Sequence, residues 1–356
     1  MRGNRTVRAE LRRPYGYFRW VCVTLDLVPT SPPDAAVIHD PAFRVGILTS
    51  GGDAPGMNAV IAGACDRIDA LGGQAVAIRG GFAGLAEGRT MAIRPDEASA
   101  HAHESGTWLG TSRWPALLTS EGRRACTMTL ADQAISALII IGGNGSARGA
   151  KVLGDLLPVA FVPATIDSDI EGTDATIGMD SAIGYALDAI DRLRVTGRSL
   201  PGRAFLVQTL GAPNGYLAAA VAAAAGIEEV LVPERPYDLD DLGRRLRDKA
   251  AVGTGIAVMS EAVGDAVSLG AELAARAGIR VHPSILGHAQ RAATPSPLDR
   301  AAGDAAGRSA VDALADNRSV FVTIAASRAV TPVSLTSSSE ATSAGLPASP
   351  VTEASL

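Results

Sequence analysis

Four carboxylates crowd one short segment of the chain: Asp167, Asp169, Glu171 and Asp174 lie within PATIDSDIEGTD, Pro163 to Asp174. Carboxylates gathered on a loop can hold a hard cation such as Mg²⁺ or take a proton from a hydroxyl nucleophile, and phosphoryl transfer needs both services. Two glycine-rich segments offer places for the phosphates. TSGGDAPGMNA, Thr49 to Ala59, lets backbone N–H groups and a helix terminus approach an anion. It lacks the lysine of GxxxxGK[ST] and is therefore not a Walker A loop. GGNGSARGA, Gly142 to Ala150, fails to complete GxGxxG because Arg148 stands at the third glycine, which disfavours a dinucleotide site. Two further segments add cations and a flat surface. GTWLGTSRWPA, Gly106 to Ala116, sets Arg113 beside Trp114, and ILGHAQRAA, Ile285 to Ala293, carries His288 and Arg291.

Such loops need rigid elements behind them. Continuous apolar runs at Val45 to Leu48, Ala75 to Ile78, Ala137 to Ile141, Val159 to Val162, Ala204 to Val207, Ile256 to Met259 and Val320 to Ile324 read as strands buried on both faces. Helical patterns cover Asn58 to Leu71, Ser181 to Arg194, Tyr216 to Gly226, Leu239 to Ala251 and Asp299 to Ala315. The alternation implies α/β layers with mostly parallel sheets, in which ligands bind beyond the carboxyl ends of the strands. The chemistry-bearing loops follow three of these runs directly.

The composition narrows the partners. With 47% hydrophobic and 19% charged residues in 356, the chain is neither disordered throughout nor collagen-like. A net charge of -5 provides no field to gather nucleic acid. Cys22, Cys65 and Cys126 are far apart, as expected of a reducing cytoplasm, and no apolar run reaches the length of a membrane span. Residues 1–42, with six arginines and then a Pro-rich stretch, read as a disordered extension, and 43–330 as the catalytic region. Residues 331–356, rich in Ser, Thr, Pro and Ala, read as a disordered tail.

In order and spacing these loops resemble those of the ATP-dependent 6-phosphofructokinases. The matching stretches are GILTSGGDAPGMNA (Gly46 to Ala59), GGFAGL (Gly80 to Leu85), SGTWLGTSRWP (Ser105 to Pro115), ALIIIGGNGSARGA (Ala137 to Ala150), TIDSDIEGTDATIG (Thr165 to Gly178), AIDRLR (Ala189 to Arg194), VPE (Val232 to Glu234) and LGHAQR (Leu286 to Arg291). The resemblance implies a two-lobed α/β fold, mostly parallel sheets flanked by helices, with a cleft between the lobes. It also implies a homotetramer, or a dimer given the altered C-terminus, with sugar-phosphate sites shared between subunits. The implied activity is glycolytic: the γ-phosphate of MgATP passes to fructose 6-phosphate, giving fructose 1,6-bisphosphate.

Residue by residue, the resemblance assigns MgATP to Gly52, Arg113, Trp114, Gly143, Asn144, Gly145 and Ser146, with Asn144 and Asp169 toward the metal. It assigns the general base to Asp167 with Thr165 beside it. The sugar phosphate falls to Thr165, Ile166, Asp167, Arg203, Leu210, Gly211, Ala212, Glu234, His282, His288 and Arg291, with Arg203 and His282 donated across a subunit boundary. Four positions depart from the pattern. Asn144 replaces the metal-binding Asp, Ser168 an Asn, and Ala212 and His282 each replace an Arg. The first lowers metal affinity, and the lost arginines slow fructose 6-phosphate chemistry. Gly145 and Ala164 stand where pyrophosphate-dependent relatives carry Asp and Lys, which favours ATP. Ala62 and Asp66 replace effector-site arginines. Two alternatives follow: a paralogue that phosphorylates another sugar, cyclitol or nucleoside, and a catalytically weak nucleotide-binding regulator.

Overall fold

The computed structural model describes residues 43–335, so the expected extension, 1–42, and most of the expected tail, 336–356, lie outside the described residues. Apolar runs form the centre of a large sheet. β1 (Arg44–Ser50), β4 (Ala137–Gly142) and β5 (Val159–Thr165) are buried at nearly every position, as strands covered by helices on both faces must be. Each large aliphatic side chain buried in this way contributes roughly 1.5–3 kcal/mol. β1 is flanked by β4 on one side and β2 (Gln74–Ile78) on the other, all parallel. The sheet continues antiparallel to β3 (Thr90–Ile93) at one end, and from β5 to parallel β11 (Val320–Ile324) and antiparallel β12 (Val330–Ser334) at the other. The two-residue β6 (Ile177–Gly178) adds to the end of β5.

A second, all-parallel sheet follows in the chain, in the order β10 (Arg280–Ile285), β7 (Arg203–Thr209), β9 (Ile256–Ser260), β8 (Val230–Leu231). The long α6 (Met179–Ser199) carries the chain from the first sheet to the second. One apolar core joins them: Ile47 and Val162 belong to the same cluster of buried side chains as Ile190, Val207 and Val258. The expected two-lobed α/β arrangement is thus observed, and every apolar run read as a strand lies in one.

The remaining helices are α1 (Met57–Ala70), α2 (Gly81–Ala86), α3 (Pro95–His101), α4 (Ser120–Asp132), α5 (Asn144–Gly154), α7 (Tyr216–Ala225), α8 (Leu239–Ala251), α9 (Ala266–Ala277) and α10 (Pro297–Ala315). Several start on side-chain caps: Thr119 accepts from Gly122 N, Asp238 from Asp240 N and Asp241 N, Asp265 from Ser268 N, and Ser296 from Asp299 N. By contrast α1 and α5, which carry the glycine-rich loops, begin at Gly56 and Gly143 without a side-chain cap. α1 and α10 touch backbone to backbone, since a Cβ on Gly307 would stand 2.2 Å from the Val60 carbonyl oxygen. Arg67–Asp312 at 2.6 Å and Arg308–Asp66 at 2.8 Å tie the rims of this pair. Asp66 is thus an ion-pair partner of α10.

One expectation needs correction. The tail read as disordered from Thr331 begins inside β12, where Val333 packs on the apolar cluster that contains Phe161 and Phe321, and Leu335 is buried in it. Val333 and Leu335, two residues apart, share the face on that cluster while Val330 packs on the other one, and Pro332 is tolerated because the strand lies at the edge of the sheet among the described residues. No helix among the described residues is long and apolar enough to cross a membrane.

Candidate active site

The order of the first sheet leaves a crevice beyond the carboxyl ends of β1, β4 and β5, where successive connections leave toward opposite sides. A cavity of about 380 Å³ opens there. Gly52 from the first loop, Arg113 and Trp114 from the second, Gly143, Asn144, Gly145 and Ser146 at the start of α5, and Thr165, Asp167 and Asp169 after β5 all line it, together with Arg291. These residues come from widely separated parts of the chain.

Side-chain hydroxyls and close backbone packing hold the loops. Ser146 Oγ donates to the Ser50 carbonyl at 3.0 Å, and a Cβ on Gly142 would lie 2.3 Å from that same oxygen, so only glycine fits where β4 turns into α5. Thr111 Oγ1 donates to the Gly51 carbonyl at 3.0 Å, and Gly51 N donates to the Ser112 carbonyl at 3.1 Å, which fixes the Arg113–Trp114 segment against the first loop. The uncapped start of α5 gives the cavity a partial positive charge suited to phosphate. Phe82, Pro115, Leu117 and Leu118 make the apolar wall beside Trp114. Phe82 and Pro115 lie on the GGFAGL and SGTWLGTSRWP stretches, whereas Leu117 and Leu118 lie on no motif and join the wall through tertiary packing of the short 3₁₀ turn at Pro115–Leu118.

Asp167 sits where the two chemistries meet. Its Oδ2 accepts from Thr165 Oγ1 at 3.3 Å and lies 3.8 Å from the Arg291 guanidinium, while its Oδ1 is buried without a hydrogen-bond partner. Burial raises the Asp167 carboxyl above its ordinary range; Arg291 opposes this, and the neighbouring Asp169 carboxylate adds to it. Arg291 Nη1 also donates to the Asp53 carbonyl at 3.3 Å, and it would lie 2.7 Å from a Cβ on Gly52. One guanidinium thus bridges the first glycine-rich loop and the carboxylate. Asn144 Nδ2 donates to the Asp169 carbonyl at 3.2 Å, so this amide braces the loop after β5. Ser168, in the same loop, takes a left-handed φ of 49°.

A family model described as Phosphofructokinase matches residues 44–314. The chain belongs to the phosphofructokinase family. It is 37% identical over 278 residues to the ATP-dependent 6-phosphofructokinase of Bacillus pumilus (strain SAFR-032), covering 77% of this chain and 87% of that relative. To the ATP-dependent 6-phosphofructokinase of Lactobacillus delbrueckii subsp. bulgaricus it is 38% identical over 281 residues, covering 77% and 87%. Among solved structures, a phosphofructokinase of Pichia pastoris in the T-state superposes with a TM-score of 0.78 at 25% identity. The match covers 88% of this chain and 36% of that one, so this chain spans about a third of the larger enzyme's length.

Not every residue that the phosphofructokinase resemblance nominates reaches the cavity. The Ile166 side chain is fully buried in the core, so only its backbone can face a ligand. Glu234 does not line the cavity; its Oε1 accepts from Gly215 N at 2.8 Å and so holds the start of α7. The loop after β7 is held instead by two residues absent from the sequence-derived candidates. Glu261 Oε1 accepts from Gly211 N at 3.0 Å and Ala212 N at 3.1 Å, and the buried Gln290 accepts from Leu210 N at 3.0 Å. Glu261 follows the apolar run of β9 directly, a position from which a loop carboxylate can be inferred. His288 is exposed on a short 3₁₀ turn, and neither it, Arg203 nor His282 lines the cavity.

Proposed function

We propose that this member of the phosphofructokinase family transfers the γ-phosphate of ATP to a hydroxyl of fructose 6-phosphate. One observation carries the reading: the Asp167 carboxylate stands in the same cavity as the phosphate-loop glycines and the arginines Arg113 and Arg291, with Oδ1 buried and unpartnered. Such an oxygen suits the proton of an incoming hydroxyl. As the sugar oxygen bonds to the γ-phosphorus, the bond to the β-phosphate oxygen breaks, ADP leaves, and Asp167 takes the hydroxyl proton. Arg113, Arg291 and the start of α5 oppose the charge on the transferring phosphoryl group. Trp114 with Phe82 and Leu117 offers the apolar surface for the base. Gly145 leaves its side open, the nearest atom to a Cβ there being Arg148 Nη2 at 3.9 Å, which supports a nucleoside triphosphate as donor.

Mg²⁺ fits the donor set. Among the described residues no cluster of three or more His, Cys, Asp or Glu side chains forms a cage, but Asp169 and the Asn144 amide oxygen are hard donors in the same cavity as the phosphates. Bound there, the ion would neutralise charge on the phosphate oxygens. Leu210 to Ala212 and Glu261 would approach the sugar. Arg203 and His282 would serve it from a neighbouring subunit, in a dimer or tetramer.

The deciding experiment measures ADP release from MgATP with and without fructose 6-phosphate. Release that requires the sugar phosphate and falls by about 10²–10⁴ in Asp167→Asn supports the proposal. Sugar-independent release, or full activity in the variant, removes it. Ala212, which offers no cation at the end of β7, favours a second reading in which another sugar, a cyclitol or a nucleoside is the acceptor. A panel of such acceptors separates the two.

A further inference from the structure

α5 links the two ends of the cavity. At its cap, a Cβ on Gly143 would stand 3.7 Å from Thr165 Cβ, beside the proposed base. Six residues on, a Cβ on Gly149 would stand 2.5 Å from the Phe82 ring and 2.9 Å from Leu117, at the apolar wall. These points are about 9 Å apart at 1.5 Å per residue. A donor whose reacting phosphate lies by Asp167 and whose base lies on Trp114 therefore passes along this helix. Between the two points Gly145 leaves a gap, and Arg148 reaches back over it, as helical side chains lean toward the start of their helix. Arg148 Nη2 is the nearest atom to a Cβ on Gly145, at 3.9 Å, and Arg148 lines the cavity.

This guanidinium has no charge to oppose it. Cations are stabilised at the carboxyl end of a helix, not at its start, where free N–H groups already carry partial positive charge. Asn144, one turn before Arg148 and on the same face, is neutral. Among the described residues Arg148 makes no ion pair or hydrogen bond, whereas Arg291 is held by Asp167 and the Asp53 carbonyl. An anion at Gly145 would be attracted both by the helix start and by the guanidinium. We propose that Arg148 is the specificity-determining cation of the donor site: its guanidinium binds the α-phosphate, the group that a nucleoside triphosphate carries and pyrophosphate lacks. A planar guanidinium matches two phosphate oxygens. The direction in which the donor lies rests on the kinase reading above. The bond that breaks joins the γ-phosphorus to the β-phosphate oxygen, so the α-phosphate contact is as strong before the reaction as during it. It lowers KM without raising kcat. The side chain that interrupts GxGxxG is then the one that fits the loop to its donor.

The test titrates MgATP and magnesium pyrophosphate calorimetrically into the full-length protein and its Arg148→Gln, Arg148→Glu and Arg148→Lys variants. Arg148 is exposed, and thermal melts verify that the variants fold. ATP affinity should fall roughly tenfold to a hundredfold in Arg148→Gln, fall further in Arg148→Glu and recover in part in Arg148→Lys. Pyrophosphate affinity should move less than about twofold in Arg148→Gln, so the preference for ATP falls with the charge. In turnover the KM for ATP should rise by a similar factor while kcat stays within about twofold, a split that a distorted α5 would not give. Wild-type ATP affinity in Arg148→Gln and Arg148→Glu overturns the proposal. An equal loss for both ligands also overturns it, since Arg148 would then attract any polyphosphate, as does a wild type that binds no ATP. ATP binding that depends on Arg148 in a protein that never phosphorylates fructose 6-phosphate would leave the α-phosphate contact standing and remove the kinase reading. Turnover with an unaltered KM for ATP in Arg148→Glu would do the reverse.

Discussion

The loops after β1, β4 and β5 converge on one cavity, with glycines, an uncapped helix start, two carboxylates and their opposing arginines all in place. The loops after β7 and β9 bring a different set: Glu261 gripping the N–H groups of Gly211 and Ala212, no arginine at Ala212, and the arginines of that sheet displaced to the far ends of β7 and β10. The first sheet thus gathers the groups that the proposed phosphoryl transfer calls on. The second is reduced at its own cleft and cationic at its outer end. Phosphate-loop geometry leaves little freedom, because backbone N–H groups and glycines do the binding, whereas side-chain recognition of a sugar can be rewritten one residue at a time.

Ala212→Arg probes this contrast most strongly. If the second sheet is limited by the missing cation, kcat/KM for fructose 6-phosphate should rise about tenfold or more, since one guanidinium at developing charge is worth several kcal/mol. An unchanged kcat/KM would mean that Glu261 and the backbone suffice. The acid side of the pH profile comes next. The proposed base Asp167 has to be ionised to take a proton and its carboxyl is raised by burial, so activity should fall with decreasing pH above the ordinary aspartate range. Arg291→Gln removes the opposing guanidinium and should carry that limb to still higher pH; a limb that stays put would separate Arg291 from the base. The same shift means that Asp167 binds its proton more tightly folded than unfolded. Its ionisation therefore subtracts stability as pH rises through the interval between the unfolded and folded values.

Asn144→Asp should have two effects of opposite sign. Losing the bond to the Asp169 carbonyl lowers the melting point in the absence of metal, by about 1 kcal/mol of stability, while the added carboxylate lets activity saturate at less Mg²⁺. A variant that melts like the wild type without metal would show that the brace contributes nothing. Ser168→Asn is the smallest change. At a left-handed φ of 49° an Asn is less strained than a Ser, and a gain of up to about 1 kcal/mol should appear in thermal melts.

Much of the fold and of the first sheet's cavity is legible in the order of the residues alone. Runs such as Ala137 to Ile141 announce strands because burial on both faces removes polar residues, and α8 can be bounded because Asp238 caps its start and Gly253, at a positive φ, follows its end. Elements that lack these signals stay hidden. α5 contains Gly145, Gly149 and Gly154 and looks like loop, and β10 lies at a sheet edge with Arg280, His282 and Ser284 breaking its apolar pattern. The cavity residues nominated from contiguous motifs, such as Gly52, Arg113 and Asp167, line the cavity, whereas Phe82 and Pro115 lie on motifs and are not nominated. Glu234 stands out in place of Glu261 because a motif marks a position in the chain, while only packing determines which carboxylate meets Gly211.

The edge formed by β12 has a consequence for behaviour at high concentration. An exposed strand edge is a template on which another chain can add, but Pro332 has no N–H to offer in the middle of this one. Among the described residues this removes one donor from the edge and so disfavours sheet-to-sheet pairing there. A chain cut back to Val330 would uncover β11, whose Val320, Phe321 and Val322 are buried in the intact protein, and would leave a hydrophobic edge open to self-association.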